Sequence, residues 1–293
     1  MLASVVGIAS ACSPLRIAEG IFLGDDFVRN SGVPYGSSAR ERLDVYRPRV
    51  RRGPAPVVIF LHGGRWRNGS KDEYRLLGDA LTRRGLVVVV PDYRLFPEAK
   101  FPDWVDDAAR AVRWTRTNIR RFGGDSSQIW VVGHSSGAHS AALLALDERY
   151  LRNVQLPSDA VRGYVSMAGP VDTTWTEPDV QEVMGARDDW PSTYPVNFID
   201  GKERPILFLH GADDRTVSAR NSVRLAALIR ERGGCARAIV YRGVSHLGLI
   251  FALAVPTLGK APVADDIVAF IHGEDDRKCL AAFTAPGETR SAV

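Results

Sequence analysis

Short apolar runs alternate with helix-length stretches through most of this chain. That alternation constrains the fold more than any other feature. Val57–Leu61 is a continuous apolar run closed by Gly63-Gly64, and Leu86–Val90 is another, ended by Pro91. Ile129–Val132, Gly163–Met167, Ile206–Leu209 and Ala238–Tyr241 repeat the pattern. Runs with no polar alternation suit strands buried on both faces. Between them, Tyr74, Leu77, Ala80 and Leu81 recur at helical spacing before Gly85. Val105, Ala108, Ala109, Val112 and Ile119 form a second stripe, stopped by Gly123-Gly124. Ser136–Leu146 is Ala/Leu-rich, and Val223–Ile229 and Asp265–Ile271 complete the helices. Strand–helix–strand order predicts an α/β fold: a mostly parallel central sheet with helices on both faces. Leu43–Tyr46 alternates and ends at Pro48, which predicts an edge strand.

No internal repeat and no long linker divides the chain, so residues 21–272 read as a single domain. Residues 170–204 lose the periodicity and read as a short cap or loop insertion. Residues 273–293 are polar and end the chain as a loose tail. A chain of 293 residues with 45% hydrophobic and 25% charged residues buries a core without disulfides, which excludes fibrous and disordered classes. No apolar run approaches the roughly 20 residues of a membrane-spanning helix. The net charge of +4 comes from scattered arginines rather than a basic stripe, so no nucleic-acid partner is expected. The three cysteines lack metal-ligand spacing, so no metal is expected. Residues 1–20 contain MLASVVGIASAC, which resembles the tail of a lipoprotein signal with Cys12 as the lipid anchor, although no Lys or Arg precedes Arg16. Export or membrane anchoring is favoured on that reading over a disordered N-terminus on a cytoplasmic protein. An exported chain would allow Cys235 and Cys279 to pair.

The chemistry concentrates in Gly133-His134-Ser135-Ser136-Gly137, a G-x-S-x-G sequence between a buried strand and an Ala-rich helix. A strand–turn–helix elbow forces the central serine into a strained conformation with its hydroxyl exposed. Ser135 is therefore the candidate nucleophile, with Ser136 as its rival. The Ser136 N–H, at the positive end of the helix, is a candidate oxyanion donor. His62-Gly63-Gly64-Arg65-Trp66 follows the first buried strand, and Gly63 and Gly64 can turn backbone N–H groups toward the same oxygen. A serine needs a base and an orienting acid. His246, after the last strand, supplies the base. His210-Gly211-Ala212-Asp213-Asp214 supplies the acid at Asp214, with Asp213 and Asp172 as alternatives. His62 and His210, in strand-end turns, read as structural. Trp66, Trp175 and Leu247 are candidate pocket residues, as are Trp190, Tyr194 and Phe251, because ligand sites are mostly apolar and aromatic.

The combination resembles the α/β-hydrolase superfamily over residues 40–272. DYRLFP followed by Trp114 looks like hormone-sensitive-lipase-type esterases, whereas HGGRW and GHSSGAH look more like carboxylesterases and arylformamidases. FGGDSSQIWVVGHSSGAH is also similar to isoprenylcysteine methylesterases. The resemblance implies a cofactor-free serine hydrolase that cleaves small or medium carboxylic esters through an acyl-enzyme. It carries over Ser135, Asp214 and His246, with Gly63, Gly64 and Ser136 for the oxyanion. An arylformamidase-like amide hydrolase and a non-catalytic ligand-binding member of the fold are the alternatives. Oligomeric state stays open.

Overall fold

A computed structural model of the protein describes residues 14–50, 53–255, 258, 260–273 and 288–290. Cys12 and Cys279 lie outside these residues, as does most of the stretch expected to be a loose tail.

The strands are β1 (Phe27–Pro34), β2 (Arg42–Pro48), β3 (Ala55–Leu61), β4 (Val87–Pro91), β5 (Gly124–His134), β6 (Gly163–Met167), β7 (Ile206–Gly211), β8 (Ala236–Tyr241) and β9 (Glu288–Arg290). They form one sheet in the order β1-β2-β4-β3-β5-β6-β7-β8-β9. Pairing is antiparallel at β1/β2 and β2/β4 and parallel from β4 onward. The helices are α1 (Pro14–Phe22), α2 (Arg75–Thr82), α3 (Asp103–Asn118), α4 (Ser136–Leu146), α5 (Arg149–Asn153), α6 (Pro178–Met184), α7 (Arg220–Glu231), α8 (His246–Ala254) and α9 (Val263–His272). No helix among the described residues is long and apolar enough to cross a membrane.

The buried strands split their side chains between two cores, as a period of two requires. On β3, Val57, Ile59 and Leu61 face one core, built with α3, α4, α5, α6 and α7. Val58 and Phe60 face the other, built with α1, α2, α8 and α9. The chain runs outward from β3 to β4, then crosses back to β5 on the other side of β3. Such a reversal opens a crevice at the carboxyl ends of the two strands. Both glycine motifs lie there: Gly63-Gly64 follows β3, and the Ser135 elbow follows β5.

Several expectations need correction. The strand at Leu43–Tyr46 is not at the edge, because β1 covers it. Half-exposed FVRNSGVP lacks clean alternation, and a register shift between Asn30 and Val33 interrupts its pairing. Its cover buries Asp44 completely, and Arg29 Nε (2.8 Å) and the Gly32 N–H (2.9 Å) donate to that carboxylate. Helix α8 was not expected either. HLGLIFALA is apolar nearly all round, so no polar face marks a helical period. Within the stretch 273–293, Glu288–Arg290 pairs in parallel with β8. Residues 170–204 fold into α6 and two 3-10 turns, Arg187–Thr193 and Pro195–Phe198. Cys235 is disulfide-bonded.

The position of β2 is testable by native-state hydrogen exchange. Amides of Val45 and Tyr46 should exchange as slowly as those of Val88 and Val89 in β4, since β2 is paired on both sides. Fast exchange confined to β2 would return it to the edge.

Candidate active site

Strand β5 becomes helix α4 within one residue, Ser135, whose backbone sits at φ 55°, ψ −119°. A positive φ is costly for a residue with a Cβ, and such strain persists only where the surroundings impose it. Here they do. A Cβ at Gly133 would lie 2.2 Å from the Gly137 carbonyl oxygen, and one at Gly137 would lie 2.1 Å from that of Leu61. The elbow closes on itself and against β3, so neither position has room for a side chain. The Ser135 N–H donates to the Met167 carbonyl (2.9 Å), tying the turn to the end of β6. Ser135 is left half-buried, while Ser136 is 1% exposed and its hydroxyl is turned inward. Ser136 opens α4, where the first N–H groups have no partner within the helix.

The base and acid come from the ends of β8 and β7. His246 begins α8 and Asp214 lies in the turn after β7. His246 Nδ1 stands 2.7 Å from Asp214 Oδ2. The carboxylate has three further polar partners. The Thr216 and Val217 N–H groups donate to Oδ1, both at 2.8 Å. His210 Nε2 lies 3.2 Å from Oδ2 and 2.9 Å from the Val217 carbonyl. Burial works to raise the Asp214 carboxyl, but the bonds from His210, His246 and Val217 outweigh it and hold the group well below the usual carboxylate range. Asp214 is thus a fixed anion. An ionised carboxylate only accepts, so His246 Nδ1 carries the hydrogen and Nε2 is left as the acceptor. On the other side of His246, His134 Nε2 donates to the His246 carbonyl at 3.2 Å. Burial, with His246 adding to it, pushes the His134 imidazole down to about 3, so it stays neutral.

Gly63 lies against Ser135: a Cβ there would be 3.1 Å from the Ser135 Cβ. The loop then passes through Arg65 (φ 54°) and Trp66 (φ 59°), two consecutive non-glycine residues in the left-handed region. That bend buries the Trp66 ring to 2% exposure. It leaves Arg65 at the rim, bound by Nη2 to Asp179 of α6 at 2.8 Å. Two clefts meet at Ser135. One holds His134 and His246 with Gly63, Gly64 and Leu247. The other holds Ser136, Trp66 and Trp175. Among the described residues, no group of His, Cys, Asp or Glu side chains could hold a metal ion.

The BD-FAE family profile matches residues 43–229, from β2 to α7. The chain belongs to the BD-FAE family. It is a serine esterase of the α/β-hydrolase superfamily, a hydrolase of carboxylic esters. Its similarity to the isoprenylcysteine alpha-carbonyl methylesterase of Arabidopsis thaliana is 30% identity, over 94% of this chain and 69% of that protein. With the esterase LipC of Mycobacterium tuberculosis it shares 32% identity, over 71% of this chain and 58% of that one. The chain superposes on an esterase from Pyrobaculum calidifontis with TM-score 0.67 at 26% identity, covering 84% of this chain and 85% of that one.

In this BD-FAE member the two alternative acids lie elsewhere. Asp213 is exposed, and Asp172 pairs through Oδ2 with Arg224 Nε at 3.2 Å. Trp190 and Tyr194 line neither cleft: the Trp190 indole donates to the Gly185 carbonyl, and Tyr194 packs on Trp175. His62 is fully buried, with Nδ1 2.8 Å from the Gly63 carbonyl and its ring stacked on Tyr93. His210 is more than the structural residue expected, because it reaches the carboxylate that holds His246. The only sequence signal for it is its place four residues before Asp214.

The state of Asp214 sets a pH dependence. Its folded pKa is depressed, so its contribution to stability is complete above about pH 5 and disappears as pH falls through the unfolded value near 4 and below. The gap between the unfolding free energies of wild type and Asp214→Asn in urea melts should therefore stay constant from pH 6 to 5 and narrow as pH is lowered from 4 to 3. A gap independent of pH would mean that Asp214 is not held as an anion.

Proposed function

We propose that Ser135, His246 and Asp214 form the catalytic triad, with the N–H groups of Gly63, Gly64 and Ser136 as the oxyanion hole, acting on neutral small-molecule esters. The observation that carries this reading is the set of hydrogen bonds that Asp214 shares with His246, Thr216 and Val217, which fixes the tautomer of a histidine sharing a cleft with a strained, half-buried serine.

The chemistry follows from that tautomer. His246 Nε2 accepts the Ser135 proton as Oγ attacks the ester carbonyl. Charge develops on the carbonyl oxygen, where backbone N–H groups and the N-terminal end of α4 oppose it. Asp214 stabilises the imidazolium without taking its proton. His246 then delivers the proton to the leaving alkoxide and the C–O bond breaks. Water attacks the acyl-enzyme with the same histidine as base, and Ser135 regains its proton as the acid departs. The relatives' names, a methylesterase of an isoprenylated cysteine and two esterases, support an ester rather than an amide as substrate. The alcohol and acid preferred by this chain are read from its own walls.

The test is steady-state turnover of p-nitrophenyl butyrate. Ser135→Ala should lose on the order of 10⁶ in kcat, and Asp214→Asn about 10⁴, because it favours the wrong His246 tautomer. Ser136→Ala should keep a measurable rate. Loss of activity in Ser136→Ala with retention in Ser135→Ala would reassign the nucleophile.

A further inference from the structure

The two clefts at Ser135 differ in size, lining and access to His246. The larger, about 390 Å³, contains His246 and is walled by Leu15 of α1, Tyr74, and Leu247, Ile250 and Phe251 of α8. The smaller, about 170 Å³, lies under the cap between Trp66, Pro170, Trp175 and Val180, and His246 is not among its walls. Stereochemistry decides which part of an ester enters which cleft. The tetrahedral carbon carries the Ser135 oxygen, the oxyanion, the leaving oxygen and the acyl substituent. The leaving oxygen must take its proton from His246 Nε2, so the alcohol extends along the cleft that contains His246. The acyl substituent points away, into the cleft that lacks it.

We propose that this enzyme is selective for esters of a bulky, apolar alcohol whose acyl substituent is no larger than a benzene ring. The inference rests on the triad assignment above. A cavity of about 150 Å³ accommodates a benzene-sized group, so the acyl cleft is filled by a group of that size and the alcohol cleft holds one more than twice as large. Trp66 and Trp175 meet edge-on at 5.8 Å, and the Trp175 indole is anchored on the Thr193 hydroxyl at 2.6 Å, which keeps the smaller cleft from widening. Val180 is carried by α6, which the Arg65–Asp179 pair fastens to the loop after β3. The larger cleft is walled at its mouth by Leu247, 56% exposed, so its occupant extends toward solvent. Arg65 and Glu73 also line it, so the cleft carries one charge of each sign beside its apolar walls.

Constitutional isomers test this without a change in overall hydrophobicity. Octyl acetate and ethyl octanoate have the same formula, as do 2-naphthylmethyl acetate and methyl 2-naphthylacetate, and the acyl groups of the second member of each pair exceed the smaller cleft. Wild-type kcat/KM should be at least tenfold higher for octyl acetate and 2-naphthylmethyl acetate than for their isomers. Among alkyl acetates it should rise by about fourfold per methylene of the alcohol until the cleft is filled. Leu247→Trp, at an exposed position that tolerates the larger ring, should lower the octyl acetate to ethyl octanoate ratio by fivefold or more. Val180→Phe, filling the other cleft, should raise it. A wild-type ratio of one or below, or a ratio that Leu247→Trp leaves unchanged, overturns the assignment of the clefts. Ser135→Ala assayed on the same esters separates the two claims. An inactive Ser135→Ala with an unfavourable wild-type ratio removes only the substrate selectivity, whereas an active one removes the triad.

Discussion

The close approach of Gly137 to the end of β3 is the constraint on which the site depends. With no Cβ between them, the first turn of α4 sits directly on the Leu61 and His62 backbone. That contact leaves only Ser135 to make the reversal from β5, at a positive φ that a serine adopts under duress. It also brings the loop after β3 against the serine, so Gly63 and the Ser135 side chain share one space. A hydroxyl, a helix N-terminus and a glycine loop meet because two backbones are packed without side chains between them.

The rest of the site is a problem of holding an imidazole. His246 starts a helix, and a residue there is free to swing unless it is bound at both ends. Asp214 binds Nδ1, and His134 binds the backbone carbonyl. Asp214 is itself held at both oxygens, Oδ1 by the Thr216 and Val217 N–H groups and Oδ2 by His246, with His210 beside it. The chain reaches this arrangement through strand ends that lie beside one another only in the folded sheet. The cap then closes one side of the serine and leaves the other open toward α1 and α8, which makes the two clefts unequal.

Much of this was legible in the residues. Strand and helix order followed from short apolar runs set between helical stripes, whereas the apolar run that forms α8 carries no period to mark it as a helix. Ser135, Asp214 and His246 could be named because motif and spacing locate them at strand ends. What the residues did not carry was tertiary in origin. β1 is half-exposed and bulged, so its pattern is blurred, and with it the position of β2 in the sheet. The left-handed bend at Arg65 and Trp66 leaves no trace, since neither is the glycine that such a bend favours. His210 becomes an acid-holding residue only when the turn through Val217 folds Asp214 back over it. Trp190 and Tyr194 look like pocket aromatics by composition, yet they pack within the cap.

The central claim is that Ser135, and no neighbouring hydroxyl, is the activated nucleophile. Inactivation with diethyl p-nitrophenyl phosphate followed by peptide mass spectrometry tests it most directly, because the adduct records which oxygen attacked. The account predicts one diethylphosphoryl group per chain, on Ser135, formed in step with loss of esterase activity and formed far more slowly in Asp214→Asn. An adduct on Ser136, or full inactivation with Ser135 unmodified, would contradict it.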